Sequence, residues 1–173
     1  MLESLKNGKA DMLKAYANEM LPGDPTNREG HAAKVYFNAL FGKDFSRDKE
    51  CPENAMLNYG YSIILSCVNR EIVSCGYSTQ LGLFHDNMFN DFNLGCDLME
   101  PLRPLVDKAV MKTAPKDFSK NEKFEILKIL NIEVTVNRSS QTLINAIRLY
   151  CRSVFTALEE NDVSQIRFPE YEL

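Results

Sequence analysis

Between Glu53 and Cys75 apolar residues fall on nearly every side of a helix: Met56, Leu57, Tyr59, Ile63, Ile64, Cys67, Val68, Ile72 and Val73, with no proline among them. A surface helix shows one apolar stripe, whereas a helix apolar around most of its circumference has to be surrounded by other elements. This segment therefore predicts a central helix and demands several partners to cover it. The remaining patterning supplies them as helices. Leu5, Met12, Leu13, Tyr16 and Met20 mark a stripe over 2–19, closed by Pro22-Gly23-Asp24-Pro25. Ala32, Val35, Tyr36 and Ala39 mark another over 27–40. A further helix is expected over 119–130. The clearest spans 140–160, where Leu143, Ile147, Tyr150, Cys151, Val154 and Leu158 recur in phase.

Only NIEVTVN, residues 131–137, alternates like a strand, and one such run forms at most a small hairpin or an extended connection. The glycines and Asn/Asp-rich run between residues 76 and 93 predict irregular chain. The expected fold is all-α: one compact domain over residues 1–173, built from roughly six to eight helices, a size one hydrophobic core can serve.

The segment DFNLGCDLMEPLRPLVDKAV, residues 91–110, breaks the pattern. Leu94, Leu98, Leu102, Leu105 and Ala109 keep a core stripe, yet Pro101 and Pro104 interrupt it. Proline inside a helix deletes a hydrogen bond and costs ~3 kcal/mol. The expectation is a bent helix whose Asp97 and Glu100 carbonyls lack helical donors and whose two acids turn inward.

Charge narrows the functional classes. A net charge of −4 gives no general affinity for nucleic acid, so binding there requires a local patch. Seven basic residues between Arg103 and Lys128, against four acids, form the one candidate. Five cysteines without a C-x-x-C pair argue against a disulfide framework and a sulfur-ligated zinc site. No apolar run approaches ~20 residues, and the first residues lack the apolar core of a secretion signal. A cytoplasmic chain with no membrane partner is expected.

Candidate chemical residues each have an ordinary structural role. Glu29 completes the Thr26-x-x-Glu29 pattern of a capping box. His85, in GLFHDN, stands beside the turn-formers Asp86 and Asn87. Asp97 and Glu100 share a helical face and could be solvated, with Glu100 paired to Arg103 one turn on.

Four strings in order change the weighting: REGHAAKVYFNALFG, NAMLNYGYSIILSCVNREI, GLFHDNMFNDFNLGCDLMEPLRPLVD and LINAIRLYCRSV. Together they closely resemble the C-terminal helical domain of the CRISPR-associated spacer integrase, Cas one, in its type II-like branch. The resemblance runs from about Arg28 to Leu158. It implies a divalent-metal-dependent DNA integrase and endonuclease of spacer acquisition, which joins DNA 3′-hydroxyl ends to the CRISPR repeat by transesterification.

By matching segments, Glu29, His85 and Glu100 would bind the metal, Mg²⁺ or Mn²⁺, with Asp97 supporting them. Arg28, Arg103, Lys108, Lys112 and Lys116 would contact the DNA backbone. Implied partners are double-stranded DNA, the small second adaptation protein (Cas two), further adaptation factors and a second copy in a homodimer. Nothing in these residues corresponds to the family's β-rich N-terminal domain, so the catalytic domain alone is expected. The competing class is a non-catalytic α-helical interaction module.

Overall fold

A computed structural model of the chain describes residues 8–21 and 23–172. Its element order is α1 (Ala10–Asn18), α2 (Arg28–Phe41), α3 (Pro52–Ser74), α4 (Asn93–Met99), α5 (Arg103–Thr113), α6 (Lys120–Leu127), β1 (Glu133–Val136), β2 (Ser139–Thr142) and α7 (Leu143–Glu160). Short 3₁₀ segments sit at Glu100–Leu102, Lys128–Asn131 and Val163–Gln165. The all-α expectation holds apart from one two-stranded antiparallel hairpin.

Helix α3 lies at the centre and packs against α4, α5, α6 and α7. Met56, Leu57, Ile64, Val68 and Ile72 are fully enclosed, facing Leu102, Val106 and Val110 of the proline segment and Leu143, Ala146, Ile147 and Cys151 of α7. Val106 of α5 packs tightly over Gly60 of α3, where an added Cβ would meet Val106 Cγ1 at 2.4 Å.

Several boundaries move from their expected places, each for a local reason. The last helix begins at Leu143 rather than near residue 140, because Ser139–Thr142 pairs with Glu133–Val136. The connecting Asn137 and Arg138 both take positive φ (49° and 64°), the geometry of a two-residue type I′ turn. Thr135 also exchanges two 2.8 Å backbone hydrogen bonds with Glu170, so the C-terminal tail lies beside the hairpin. Leu158, expected on the core stripe of α7, is instead exposed. The described part of the first helix starts at Ala10; Leu5, its expected first apolar residue, lies outside the described residues.

The prolines do not bend one helix. They end α4 and start α5, each near the first position of its segment, where a missing N–H costs nothing. The expected orphan carbonyls are satisfied: Asp97 O accepts from Glu100 N–H and Glu100 O from Arg103 N–H. The tighter 3₁₀ turn supplies these i→i+3 donors.

Gly60→Ala is expected to lower stability by ~1–3 kcal/mol through overpacking against Val106, outweighing the ~1 kcal/mol gain in helix propensity. Thermal denaturation checks this; an unchanged or raised Tm would show slack between α3 and α5.

Candidate functional site

The irregular chain between α3 and α4 is held by two side chains on the first turns of α4. Asn93, almost fully buried, donates to Gln80 O (3.0 Å) and Asn87 O (2.9 Å) and accepts from Asn90 Nδ2 (3.1 Å). Asp97 Oδ2 accepts from the amides of Leu83 (2.5 Å) and Phe84 (3.0 Å). Its Oδ1 accepts from the His85 amide (3.1 Å) and stands 2.6 Å from His85 Nδ1. Burial opposes ionisation of Asp97, but the His85 ring and three amides outweigh it and hold the carboxyl below its usual range. Gly82 permits this tight wrap, since a Cβ there would lie 2.2 Å from His85 O and 2.9 Å from Asp97 Oδ2.

His85 is thereby fixed on its backbone and on one ring nitrogen. In the neutral ring, an Nδ1–H donated to Asp97 leaves Nε2 as the free acceptor, the arrangement by which a carboxylate orients a metal-binding imidazole. Around it the loop presents Leu81, Phe84, Met88 and Phe89 to solvent, the last two 87% and 88% exposed.

Glu100 follows the last turn of α4 and is itself exposed rather than turned inward; Arg103 Nη1 donates to its Oε1 at 2.7 Å. An exposed pair of this kind is worth ~0–1 kcal/mol, so Glu100 is readily available to another cation. Glu29 is exposed as well. The expected capping box does not form there. Asn27 adopts a left-handed conformation, and Asp24 accepts from the amides of both Arg28 and Glu29 at 2.8 Å. The Glu29 carboxylate is therefore not consumed in capping α2.

Among the described residues, no group of three His, Cys, Asp or Glu side chains is placed to hold a metal ion. The structure joins His85 to Asp97 and pairs Glu100 with Arg103, without gathering Glu29 into the same cluster. As donors, two accessible carboxylates and one oriented imidazole suit a divalent cation in type, but their convergence is not part of this geometry.

The expected DNA-contacting residues divide. Arg28 pairs with Glu19 (3.1 Å) and covers the Tyr16 ring. Arg103 lies over the Tyr61 ring, 4.7 Å from its centroid. Lys108 Nζ donates to Glu172 O (2.8 Å), on the rim of a groove of about 710 Å³ between α5, the hairpin and the tail. Lys112, also on that groove, and Lys116 are exposed.

Sequence reasoning missed Asp107, counted there as one acid in a basic run. It is 2% exposed and accepts hydroxyl hydrogen bonds from Tyr36 (2.6 Å) and Tyr61. Burial pushes its carboxyl up, with the two hydroxyls and the nearby Arg103 and Arg47 pulling the other way. Burial, then the Asp107 charge, pushes both tyrosines up. No local pattern announces this cluster, because its tyrosines lie 71 and 46 residues away.

Comparison with known proteins decides the family. Residues 26–146 match the model for CRISPR associated protein Cas1. The chain belongs to the Cas1 family. A CRISPR-associated endonuclease Cas1 of Neisseria meningitidis serogroup C (strain 8013) is 35% identical over 166 residues, covering 93% of this chain and 55% of the relative. A Cas1 of Francisella tularensis subsp. novicida (strain U112) is 30% identical over 144 residues, covering 78% and 43%. The chain thus spans about half the length of these curated Cas1 relatives.

Two solved structures share the fold. One is a casposase bound to integration product (TM-score 0.73, 24% identity, 88% of this chain and 55% of that one). The other is a Cas1 protein from Thermotoga maritima (TM-score 0.74, 18% identity, 91% and 60%). Among the described residues of this Cas1 domain, no helix is long and apolar enough to cross a membrane.

Asp97→Ala is expected to free the loop while leaving α3 intact, at a local cost of ~2 kcal/mol for the missing charge-assisted hydrogen bonds. Hydrogen exchange reads it out: the Leu83, Phe84 and His85 amides should exchange faster, with α3 amides unchanged. Equal protection in the variant would remove Asp97 as the anchor.

Proposed function

We propose that this domain supplies the strand-joining and strand-cutting centre of a CRISPR spacer integrase. The observation that carries the reading is the Asp97–His85 contact on a loop pinned at four points, in a chain of the Cas1 family. A carboxylate that fixes both the backbone and one ring nitrogen of the half-buried His85 leaves Nε2 oriented to take a ligand.

In the reaction, a DNA 3′-hydroxyl loses its proton as its oxygen forms a bond to a phosphodiester phosphorus, while the bond to the departing 3′-oxygen breaks and that oxygen takes up a proton. A Mg²⁺ or Mn²⁺ ion, when bound, would neutralise charge at the phosphate and ease ionisation of the nucleophile. Glu29, His85 and Glu100 are the residues that would hold it, and the mixed oxygen and nitrogen donors suit Mn²⁺ somewhat better. Asp97 keeps the imidazole in the tautomer that offers Nε2. Arg28, Arg103, Lys108, Lys112 and Lys116 would meet backbone phosphates, a positioning role without sequence information. Lys112 and Lys116 do so without first giving up an ion pair or a tail contact.

The full-length protein would act on double-stranded DNA, as a homodimer docked on the small second adaptation protein (Cas two). A second reading, a non-catalytic helical interaction module, draws on the exposed Leu81, Phe84, Met88 and Phe89.

One substitution, read against wild type, separates the readings. In the full-length protein with its partner, Glu100→Ala is expected to abolish Mn²⁺-dependent strand joining without loss of fold, since Glu100 is exposed and its one ion pair contributes little. Near-normal joining by that variant would remove Glu100 from the mechanism, and a wild type that joins no strands would favour the interaction module. In the same protein, Lys112→Glu with Lys116→Glu should weaken DNA binding and reduce the salt slope of log K by ~0.9 for each phosphate no longer neutralised. An unchanged slope in a filter-binding salt titration would assign both lysines to solubility.

A further inference from the structure

The basic face of α5 is partly covered by the chain's own tail. Beyond α7 the chain carries Asp162, Glu170 and Glu172 against Arg167. The first part of this tail is fixed to the core: the Arg167 amide donates to Ser153 Oγ at 2.9 Å, and Pro169 is buried. Residues 170–172 then run along the groove of about 710 Å³ that also presents Lys108 and Lys112. Lys108 Nζ donates to Glu172 O at 2.8 Å and is half-buried, whereas Lys112 stays exposed.

These last residues are lightly held. Thr135 and Glu170 exchange two backbone bonds of 2.8 Å as an isolated bridge, so the ladder has a single rung. In an antiparallel pair the next such rung lies two residues on, where Glu133 would face Glu172. Both are exposed acids, and like charges directly opposite one another are destabilising. The Glu172 carbonyl goes to Lys108 instead. A further tie is the Tyr171 hydroxyl, which donates to Pro101 O while its half-buried ring packs against the core.

We propose that residues 170–172 form an acidic strap that occupies the Lys108 face of α5 in place of DNA phosphates and leaves it when duplex DNA binds. This rests on the reading of the α5 lysines as DNA-backbone contacts. A neutral carbonyl is a weaker partner for an ammonium group than a phosphate oxygen, whose charge strengthens the hydrogen bond. The exposed acids Glu170 and Glu172 repel the phosphates that Lys108 and Lys112 attract. A phosphate brought to Lys108 meets the strap and its two acids, so strap and DNA compete for one lysine. The fixed stretch at Arg167 and Pro169 keeps a displaced strap close, and it returns when the DNA leaves.

Full-length protein and a fluorescein-labelled DNA duplex, without metal, test it. The first readout is hydrogen exchange at the Thr135 and Glu170 amides, which the bridge protects in the free protein. Simple contact with DNA slows exchange, whereas displacement of the strap speeds it. The second readout is duplex affinity at low salt for three variants. Glu170→Gln with Glu172→Gln removes two charges and keeps the backbone ties. Tyr171→Phe removes the tie to Pro101 O and keeps ring and charges. Glu159→Gln with Glu160→Gln removes two charges at the end of α7, outside the groove, and controls for net charge alone.

With DNA added, both amides are expected to exchange faster while those of α3 do not. The groove pair of substitutions should tighten duplex binding roughly threefold, with the α7 pair close to wild type. Tyr171→Phe should bind more tightly than wild type as well. Unchanged or slower exchange at Thr135 and Glu170 on DNA binding would overturn the proposal. So would equal gains from the two pairs, or a Tyr171→Phe protein that binds no better than wild type. A wild type that binds no duplex at all removes the DNA reading of α5 and the proposal with it. One that binds with its bridge intact removes the strap alone.

Discussion

The enclosure of α3 is the constraint on which the rest of the domain depends. A 23-residue helix whose buried residues lie on several faces must have neighbours on several sides, and α4, α5, α6 and α7 supply them. That requirement explains why the proline segment stays in the core despite its breakers. Leu98, Leu102, Val106 and Val110 are needed against α3. The prolines are tolerated because each falls near a helix start, where no donor is missed.

Once the apolar surfaces are satisfied, two buried or half-buried aspartates on the proline segment organise what apolar packing leaves loose. Asp97 gathers three amides and an imidazole into one loop conformation. Asp107 gathers two tyrosines from helices distant in sequence. Both follow the same physics: a carboxylate withdrawn from water is costly unless donors surround it, and the surrounding groups are fixed in return. The two ends of one segment thus anchor the His85 loop and the Glu29 helix.

Legibility in the sequence followed distance along the chain. Helices α2 and α3 were readable to within a residue or two because their apolar period is local. The start of α7 was not, since Ser139, Ser140 and Gln141 look like a polar helix entry and become a strand only against Glu133–Val136. The Thr26–Glu29 capping pattern misled because Asp24, outside the pattern, reaches the same amides first. His85 and Asp97 could be nominated through the family resemblance, yet the hydrogen bonds that lock them together needed coordinates. Asp107 had no signal at all. A buried acid and a solvated one are the same letter until their partners are known.

The central claim is that Glu29, His85 and Glu100 bind one divalent cation on a site steadied by Asp97. Anomalous diffraction from crystals of the full-length protein soaked in Mn²⁺ tests it most directly. The account predicts a peak about 2.0–2.5 Å from both glutamate carboxylates and from His85 Nε2, with Asp97 still on Nδ1. A Mn²⁺ peak elsewhere, or one that Glu29 or His85 does not touch, would contradict it.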